Sequence, residues 1–228
     1  MFSNILKLFH IPELRKRLAY TLSLLAVYRL GIFVTSPGID KTALKEVLNA
    51  SQAGGGGFLN LFNFFSGGAL EQASIFALGI MPYITSSIII SIMAVIVPTI
   101  ERLQKEGEQG RKKINQYTRY GTMLIASVHG VMIANYLKSQ SYNGHSVVNP
   151  EWASSLGGFG FVLMTVITLA AGTAFIMWLG ERITERGIGN GISLIIFAGI
   201  VARLPHSIFT TFSGVKSGTY TIAEIAML

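Results

Sequence analysis

The chain has 228 residues, of which 50% are hydrophobic and only 13% are charged. An ordinary soluble domain carries about 25% charged residues, so this composition excludes a typical soluble globule. The net charge of +7 is, taken alone, typical both of nucleic-acid-binding proteins and of proteins that meet a membrane surface. The sequence contains no cysteine, which excludes a disulfide framework, a thiolate zinc site and a cysteine nucleophile.

Long uncharged stretches distinguish between these possibilities and predict an all-α integral membrane protein. Residues 72–100, 120–137 and 152–180 contain no Asp, Glu, Lys or Arg. A helix needs roughly 20 mainly apolar residues to cross a hydrocarbon core of about 30 Å. Together with apolar runs near both ends, these stretches predict five transmembrane helices, at 18–36, 75–98, 120–138, 159–180 and 191–209.

The segments between the predicted helices alternate between the two sides of the membrane. The cytoplasmic segments are an amphipathic N-terminus at 1–17, a basic loop at 99–119 and a short loop at 181–190. The external segments are 37–74, 139–158 and 210–228, the last of which leads to a sixth span that is cut off. Most of the eighteen Lys and Arg fall on the cytoplasmic side in this arrangement, as the positive-inside rule requires. The same distribution explains the net charge without nucleic acid.

A short apolar segment follows a Gly-rich connector on the external side. Phe58, Leu61, Phe62 and Phe65 are spaced at i, i+3, i+4 and i+7, which predicts one apolar face of a helix. The segment 58–66 would cover only about 13 to 14 Å, less than half of the hydrocarbon thickness. It therefore lies in the interface as an aromatic anchor, or it enters a cavity of the bundle as a hinged insert.

The second predicted span has a face that changes from apolar to polar. Ile80, Ile84, Ser87 and Ser91 fall on one side of a helix. Ordinary packing between helices and the lining of a pore both fit this pattern. Pro82, inside the span, predicts a kink because it removes a backbone donor.

Five stretches of the chain are distinctive, namely SPGID (36–40), FNFFSGGAL (62–70), FALGIMPYITSSIII (76–90), EGEQGRKKINQYTRYGT (106–122) and GERITERGIGNGIS (180–193). Together they resemble the SecY family, whose members are the central subunit of the bacterial Sec translocon. The stretches occur in the family's order, and the resemblance covers nearly the whole chain. It weakens in 139–156 and after residue 206.

The resemblance implies a channel that passes unfolded secretory proteins across the membrane and releases membrane segments through a lateral gate. Its fold consists of two five-helix halves related as inverted repeats, and this sequence resembles the N-terminal half. A short re-entrant half-helix acts as a plug, and a ring of apolar side chains gates by dewetting. The implied residues are Leu61, Phe62, Asn63, Phe64, Phe65, Ser66, Gly67 and Gly68 in the plug, Ile80, Ile84 and Ile196 in the pore ring, and Thr85, Ser87 and Ser91 at the lateral gate.

The resemblance also implies partners and a location. Arg111, Lys112 and Lys113 would contact the SecA motor ATPase or the ribosome on the cytoplasmic face. SecE and SecG would be the other subunits, and signal sequences, nascent or unfolded polypeptides and membrane lipids would be the remaining contacts. The implied location is the bacterial cytoplasmic (inner) membrane, with the N-terminus in the cytoplasm. We expect no cofactor, no metal site and no catalytic residue, so the protein is not expected to be an enzyme.

A secondary transporter of a small solute is the alternative, because transporters also use broken helices and inverted repeats. Transporters usually place ionisable residues at mid-membrane to couple ions. Apart from Arg29 and His129, this sequence places no ionisable residue at such a position. The sequence therefore favours the channel.

Overall fold

The computed structural model describes residues 11–53, 63, 65–142, 145–202 and 204–205. Within these ranges the chain is mostly helical, which confirms the predicted all-α character. The helices are α1 (Pro12–Gly31), α2 (Lys41–Ala53), α3 (Met81–Ile96), α4 (Pro98–Lys105), α5 (Glu108–Ser139), α6 (Pro150–Ser154), α7 (Phe159–Arg186) and α8 (Gly191–Val201). A 3-10 turn (Ser155–Gly158) precedes α7, and strands β1 (Ser141–Tyr142) and β2 (His145–Ser146) form a small antiparallel hairpin. Residues 1–10 and 210–228 lie outside the described residues, as do Leu61, Phe62 and Phe64 of the predicted plug.

The sequence around α1 explains where this helix begins. Pro12 occupies the first turn, where its missing N–H breaks no internal hydrogen bond. Glu13 places a carboxylate near the positive end of the helix dipole. The helix therefore starts before the predicted span 18–36 and ends at Gly31, and turns follow it.

Two prolines act differently in the second predicted span. Pro82 lies in the first turn of α3, where it removes no internal hydrogen bond, so the predicted kink at this residue is wrong. The bend occurs at the other proline, Pro98. Val97 is extended, with φ −102° and ψ 112°, as expected of a residue that precedes proline. The axes of α3 and α4 consequently differ by 101°.

The two longest helices, α5 and α7, are antiparallel neighbours. Arg119 of α5 contacts Glu181 near the end of α7, and Lys138 contacts Gly158 immediately before α7 begins. α5 has 32 residues and is about 48 Å long, so it extends from the third predicted span into the segment predicted as a basic loop. This segment, 99–119, holds most of α4 and the first turns of α5.

The described helices differ in whether they are long and apolar enough to cross a membrane. Among the described helices, α7 is long and apolar enough to cross a membrane by itself, and α3 with α4 meets the same criteria as one bent span. α8 is apolar but has only 11 described residues. The count of five spans therefore stays a prediction.

Two hydrophobic clusters hold the helices together. The first lies between α2, α5 and α7 and includes Leu44, Ala126 and Phe161. The second lies between α1, α3, α7 and α8, and Tyr28, Phe76, Phe175 and Trp178 make a series of stacked ring contacts beside it. At the end of the molecule predicted to be external, Thr35 pairs with Ser74 and Ile39 pairs with Val148 as isolated β-bridges.

Candidate functional site

The described part of the predicted plug lies between α2 and α3, and in it Asn63 and Phe65 are helical and a turn follows from Ser66. We call Asn63 and residues 65–68 the hinge segment. The carbonyl oxygen of Asn63 accepts hydrogen bonds from the Gly68 N–H at 2.8 Å and from the Ser66 hydroxyl at 3.3 Å. The Asn63 side-chain oxygen accepts a bond from the Glu71 N–H at 3.2 Å. These bonds fix the path of the hinge segment, whose Gly67 has φ +66°, in the left-handed region that favours glycine.

The hinge segment lies directly against the C-terminal end of α8. A Cβ atom added at Gly67 would be 2.9 Å from the carbonyl oxygen of Gly199. A Cβ atom added at Gly199 would be 3.0 Å from the carbonyl oxygen of Phe65. The two backbones approach this closely because neither glycine carries a side chain. The Tyr28 hydroxyl of α1 also donates a 3.3 Å hydrogen bond to the Ser66 carbonyl.

Arg29, in the last turn of α1, is a further part of this site. Its Nη2 donates hydrogen bonds to the carbonyl oxygens of Ala198 and Gly199, the latter at 3.1 Å. These carbonyls lie in the last turn of α8, where helical carbonyls carry partial negative charge, and the Ala198 carbonyl also accepts the Ala202 N–H at 3.3 Å. The sequence identified Arg29 only as a charge inside a span. Every residue has a backbone carbonyl, so the sequence does not indicate which residues would accept a hydrogen bond from Arg29.

The three isoleucines of the predicted pore ring meet in one cluster. Ile80 is only 2% exposed and lies among Tyr28, Ile176 and Ile195. Ile84 and Ile196 are partly buried and pack against the same cluster. Ser66 lies close to Gly79, the neighbour of Ile80, at 3.3 Å from an added Cβ. The hinge segment, the isoleucine cluster and α8 thus lie together, and the side chains of Ile84 and Ile196 remain partly exposed.

The hydroxyls predicted at the lateral gate bond mainly within their own helix. The Thr85 hydroxyl donates to the Met81 carbonyl at 3.1 Å, and the Ser91 hydroxyl donates to the Ser87 carbonyl at 2.8 Å. Ser87 is partly buried and Ser91 is exposed. The hydrogen bond between α3 and α5 is made instead by Ser86, which donates to the Thr118 carbonyl at 2.8 Å. Sequence reasoning missed Ser86, although it lies next to a predicted residue.

The predicted cytoplasmic contact residues lie on an exposed surface. Arg111, Lys112 and Lys113 are all exposed on α5. Arg111 and Lys112 line an open cleft of about 560 Å³ together with Glu108, Asn115, Gln116, Arg119, Tyr120 and Glu185. Beside this cleft, the Arg119 guanidinium binds the Glu181 carboxylate through two 2.7 Å contacts. The cleft can accept a partner with both acidic and basic groups.

The Gly-rich loop between α7 and α8 has a structural role. The Asn190 side chain accepts hydrogen bonds from the N–H groups of Ile192 and Ser193, at 3.0 and 3.2 Å, and so caps α8. The Thr21 hydroxyl of α1 accepts a 3.1 Å bond from the Ile188 N–H. These contacts join the start of α8 to α1. Within the described ranges, no group of three His, Asp or Glu residues could hold a metal ion.

Comparisons with known proteins give one consistent family. A family model described as SecY matches residues 74–228. The chain is 50% identical over 208 residues to "Protein translocase subunit SecY" of Escherichia coli (strain K12), covering 91% of the chain and 45% of that relative. It is 49% identical to the protein of the same name from Buchnera aphidicola subsp. Acyrthosiphon kondoi, covering 91% of the chain and 56% of the relative. The protein of that name from Vibrio cholerae is 47% identical over 218 residues, with coverage of 96% and 46%. The chain thus spans about half the length of the curated relatives it matches.

Proposed function

Because this chain belongs to the SecY family, we propose that it forms one half of a protein-conducting membrane channel. In this proposal the channel passes unfolded secretory polypeptides across the membrane and releases membrane segments sideways into lipid. The second half, which this chain does not contain, supplies the rest of the pore ring and the opposite wall of the gate. The relatives are named translocase subunits, which gives no support to a small-solute transporter.

One observation carries the proposal: the hinge segment, the isoleucine cluster and the end of α8 converge in space. Ser66 lies against Gly79, beside Ile80, and Gly67 lies against Gly199, one helical turn after Ile196. An insert that closes a pore must be attached beside the ring that it seals. This placement supports a plug in preference to an aromatic anchor on the membrane surface.

The chemistry of the cluster suits a seal that must also accept many different polypeptides. Water and ions that enter a ring of apolar side chains lose hydration without gaining partners, so a closed ring excludes them. In this structure Ile80 anchors the ring in the cluster, while Ile84 and Ile196 offer the partly exposed apolar surface. The hydroxyls of Thr85 and Ser91 are already bonded to their own helix. They therefore present little fixed hydrogen-bonding pattern to a passing chain.

The proposed arrangement in the membrane has five spans and a cytoplasmic N-terminus. The contacts that support it gather the predicted cytoplasmic residues at one end of the bundle, where Arg119 binds Glu181 and Thr21 binds the loop at Ile188. The inner membrane is the proposed location, in which SecE and SecG are the proposed further subunits. The cleft at Arg111 and Lys112 is the proposed contact for SecA or the ribosome.

Ion leak through the resting channel tests the proposal. In the complete membrane protein, Ile84→Gly and deletion of residues 61–67 should each increase ion conductance, because both remove part of the seal. Ile89→Gly is the matched control, since Ile89 is on the same helix, is 45% exposed and points about 140° away from Ile84. Unchanged conductance in both test variants would contradict the proposed channel. An equal increase in the Ile89→Gly control would contradict the assignment of the ring.

A further inference from the structure

We propose that Arg29 is a positioning residue that keeps the plug hinge closed by holding the end of α8 in place. This inference rests on the proposed function, because it assigns Arg29 to the seal of the same channel. In the closed state Arg29 fixes the carbonyl groups of Ala198 and Gly199, and Gly199 in turn supports Gly67 of the hinge segment. Loss of the guanidinium frees the end of α8 and with it the hinge segment.

The Arg29 side chain lies against both the end of α8 and the hinge segment. Its Nη2 donates to the α8 carbonyls, while its Nη1 would be 3.0 Å from a Cβ atom placed on Gly67. The guanidinium carbon also lies 5.7 Å from the centre of the Tyr28 ring, and Tyr28 itself bonds the Ser66 carbonyl. The last turn of α1 therefore contacts the hinge segment and α8 through two adjacent side chains.

Electrostatics explains why an arginine suits this position. A charge inside a membrane span is costly unless it has partners, and the carbonyls near the C-terminus of α8 offer partial negative charge to the Arg29 guanidinium. In the planar guanidinium, Nη2 bonds the two carbonyls while Nη1 lies beside Gly67, whereas the ammonium group of a lysine is a single compact charge. A shift of the α8 end moves the Gly199 carbonyl, whose oxygen would be only 2.9 Å from a Cβ atom placed on Gly67.

Cysteine accessibility tests the proposal without relying on transport. The chain has no native cysteine, and Ser66 is only 1% exposed. In a Ser66→Cys background of the complete membrane protein, Arg29→Gln should increase labelling by an externally added, membrane-impermeant maleimide. We expect the labelling rate to rise about tenfold to a hundredfold, which is the change in an equilibrium constant that corresponds to one charge-assisted hydrogen bond. Arg29→Lys should give a smaller increase, and Arg29→Gln should also raise the resting ion leak.

Two controls separate positioning from a general structural defect. Lys138→Gln removes another cation that bonds a backbone carbonyl, at Gly158, and should leave labelling of the Ser66→Cys protein unchanged. Val147→Cys reports on a second fully buried external site and should stay unlabelled in the Arg29→Gln protein. Equal increases at both cysteine sites would overturn the inference, because Arg29 would then support the whole fold.

The leak measurement also separates the two proposals from each other. If deletion of residues 61–67 raises conductance but Arg29→Gln changes neither conductance nor labelling, the inference about Arg29 is wrong and the channel remains. If the deletion leaves conductance unchanged, the proposed seal is wrong, while labelling at position 66 still reports whether Arg29 holds the hinge segment in place.

Discussion

Ser86 and Gly121 face each other where α3 crosses α5. Their contact predicts that the effects of Ser86→Ala and Gly121→Ala on the free energy of unfolding are not additive. A Cβ atom added at Gly121 would be 2.4 Å from the Ser86 hydroxyl oxygen, about 1 Å inside ordinary van der Waals contact. The same Cβ would be 3.5 Å from the Ser86 Cβ, which is an ordinary contact. Gly121→Ala therefore collides with the hydroxyl alone, and removal of that hydroxyl relieves the collision.

The expected energies follow from the hydrogen bonds. Ser86→Ala loses one bond between helices, worth about 0.6 kcal/mol on average in a membrane protein. Its acceptor, the Thr118 carbonyl, still accepts the Thr122 hydroxyl at 2.7 Å. Gly121→Ala displaces the hydroxyl into a buried site without a partner, at about 1–3 kcal/mol, and recovers about 0.8–1.0 kcal/mol of helix propensity. The double variant keeps the gain in helix propensity but has no hydroxyl to displace. The interaction energy between the two substitutions therefore stabilises the double variant by about 1–3 kcal/mol.

Thermal unfolding of the purified protein in detergent measures this coupling. The Gly121→Ala/Ser86→Ala protein should melt above the Gly121→Ala protein, by about 2–4 °C for each kcal/mol in a protein of this size. Gly121→Ala/Ser87→Ala is the matched control and should show no rescue, since no Ser87 atom lies within 4 Å of a Cβ added at Gly121. If the two substitutions at positions 86 and 121 lower the melting temperature additively, the packing described here is refuted.

Two further predictions concern orientation and helix capping. In intact cells, a membrane-impermeant maleimide should label the Lys45→Cys variant and should label the Lys112→Cys variant only after permeabilisation, because the proposed orientation puts the two positions on opposite sides of the membrane. The reverse pattern would overturn the orientation. Asn190→Ala should destabilise the protein by about 1 kcal/mol through loss of the α8 cap, and Asn190→Ser should recover most of this. Equal losses in both variants, measured by thermal unfolding, would argue against a capping role.

The sequence was sufficient to predict helical structure and the family, but not which faces meet. Helical spacing places Ile80, Ile84, Ser87 and Ser91 on one side of α3. It does not reveal that the neighbouring residue, Ser86, about 100° around the helix, points at α5. Selecting the partner face requires the positions of other helices, which periodicity within one helix does not contain.

The ends of the helices differ from the predicted segments for a related reason. Charged residues mark the end of each predicted span. Residues 99–119 are therefore predicted to be a loop, because this segment contains Arg111, Lys112 and Lys113. A helix can continue beyond the hydrocarbon core, and these charges lie exposed while Thr118 on the same helix is buried. The predicted kink at Pro82 is wrong because α3 begins only at Met81. That start depends on the turns of residues 68–80, which hydropathy does not indicate.

The contacts of α1 determine which part of the chain can move. Thr21 is bonded to Ile188 before α8, and Arg29 is bonded to Ala198 and Gly199 at the far end of α8. Hydrogen bonds near both ends of α8 oppose sliding and rolling of this helix against α1. Because α1, α7 and α8 also share one hydrophobic cluster, we expect them to move together as a frame. In the described part of the chain, α3 is joined to α5 by one side-chain hydrogen bond, from Ser86 in the second turn of α3. We expect any widening within this half to be a tilt of α3 about that bond, with the frame at rest.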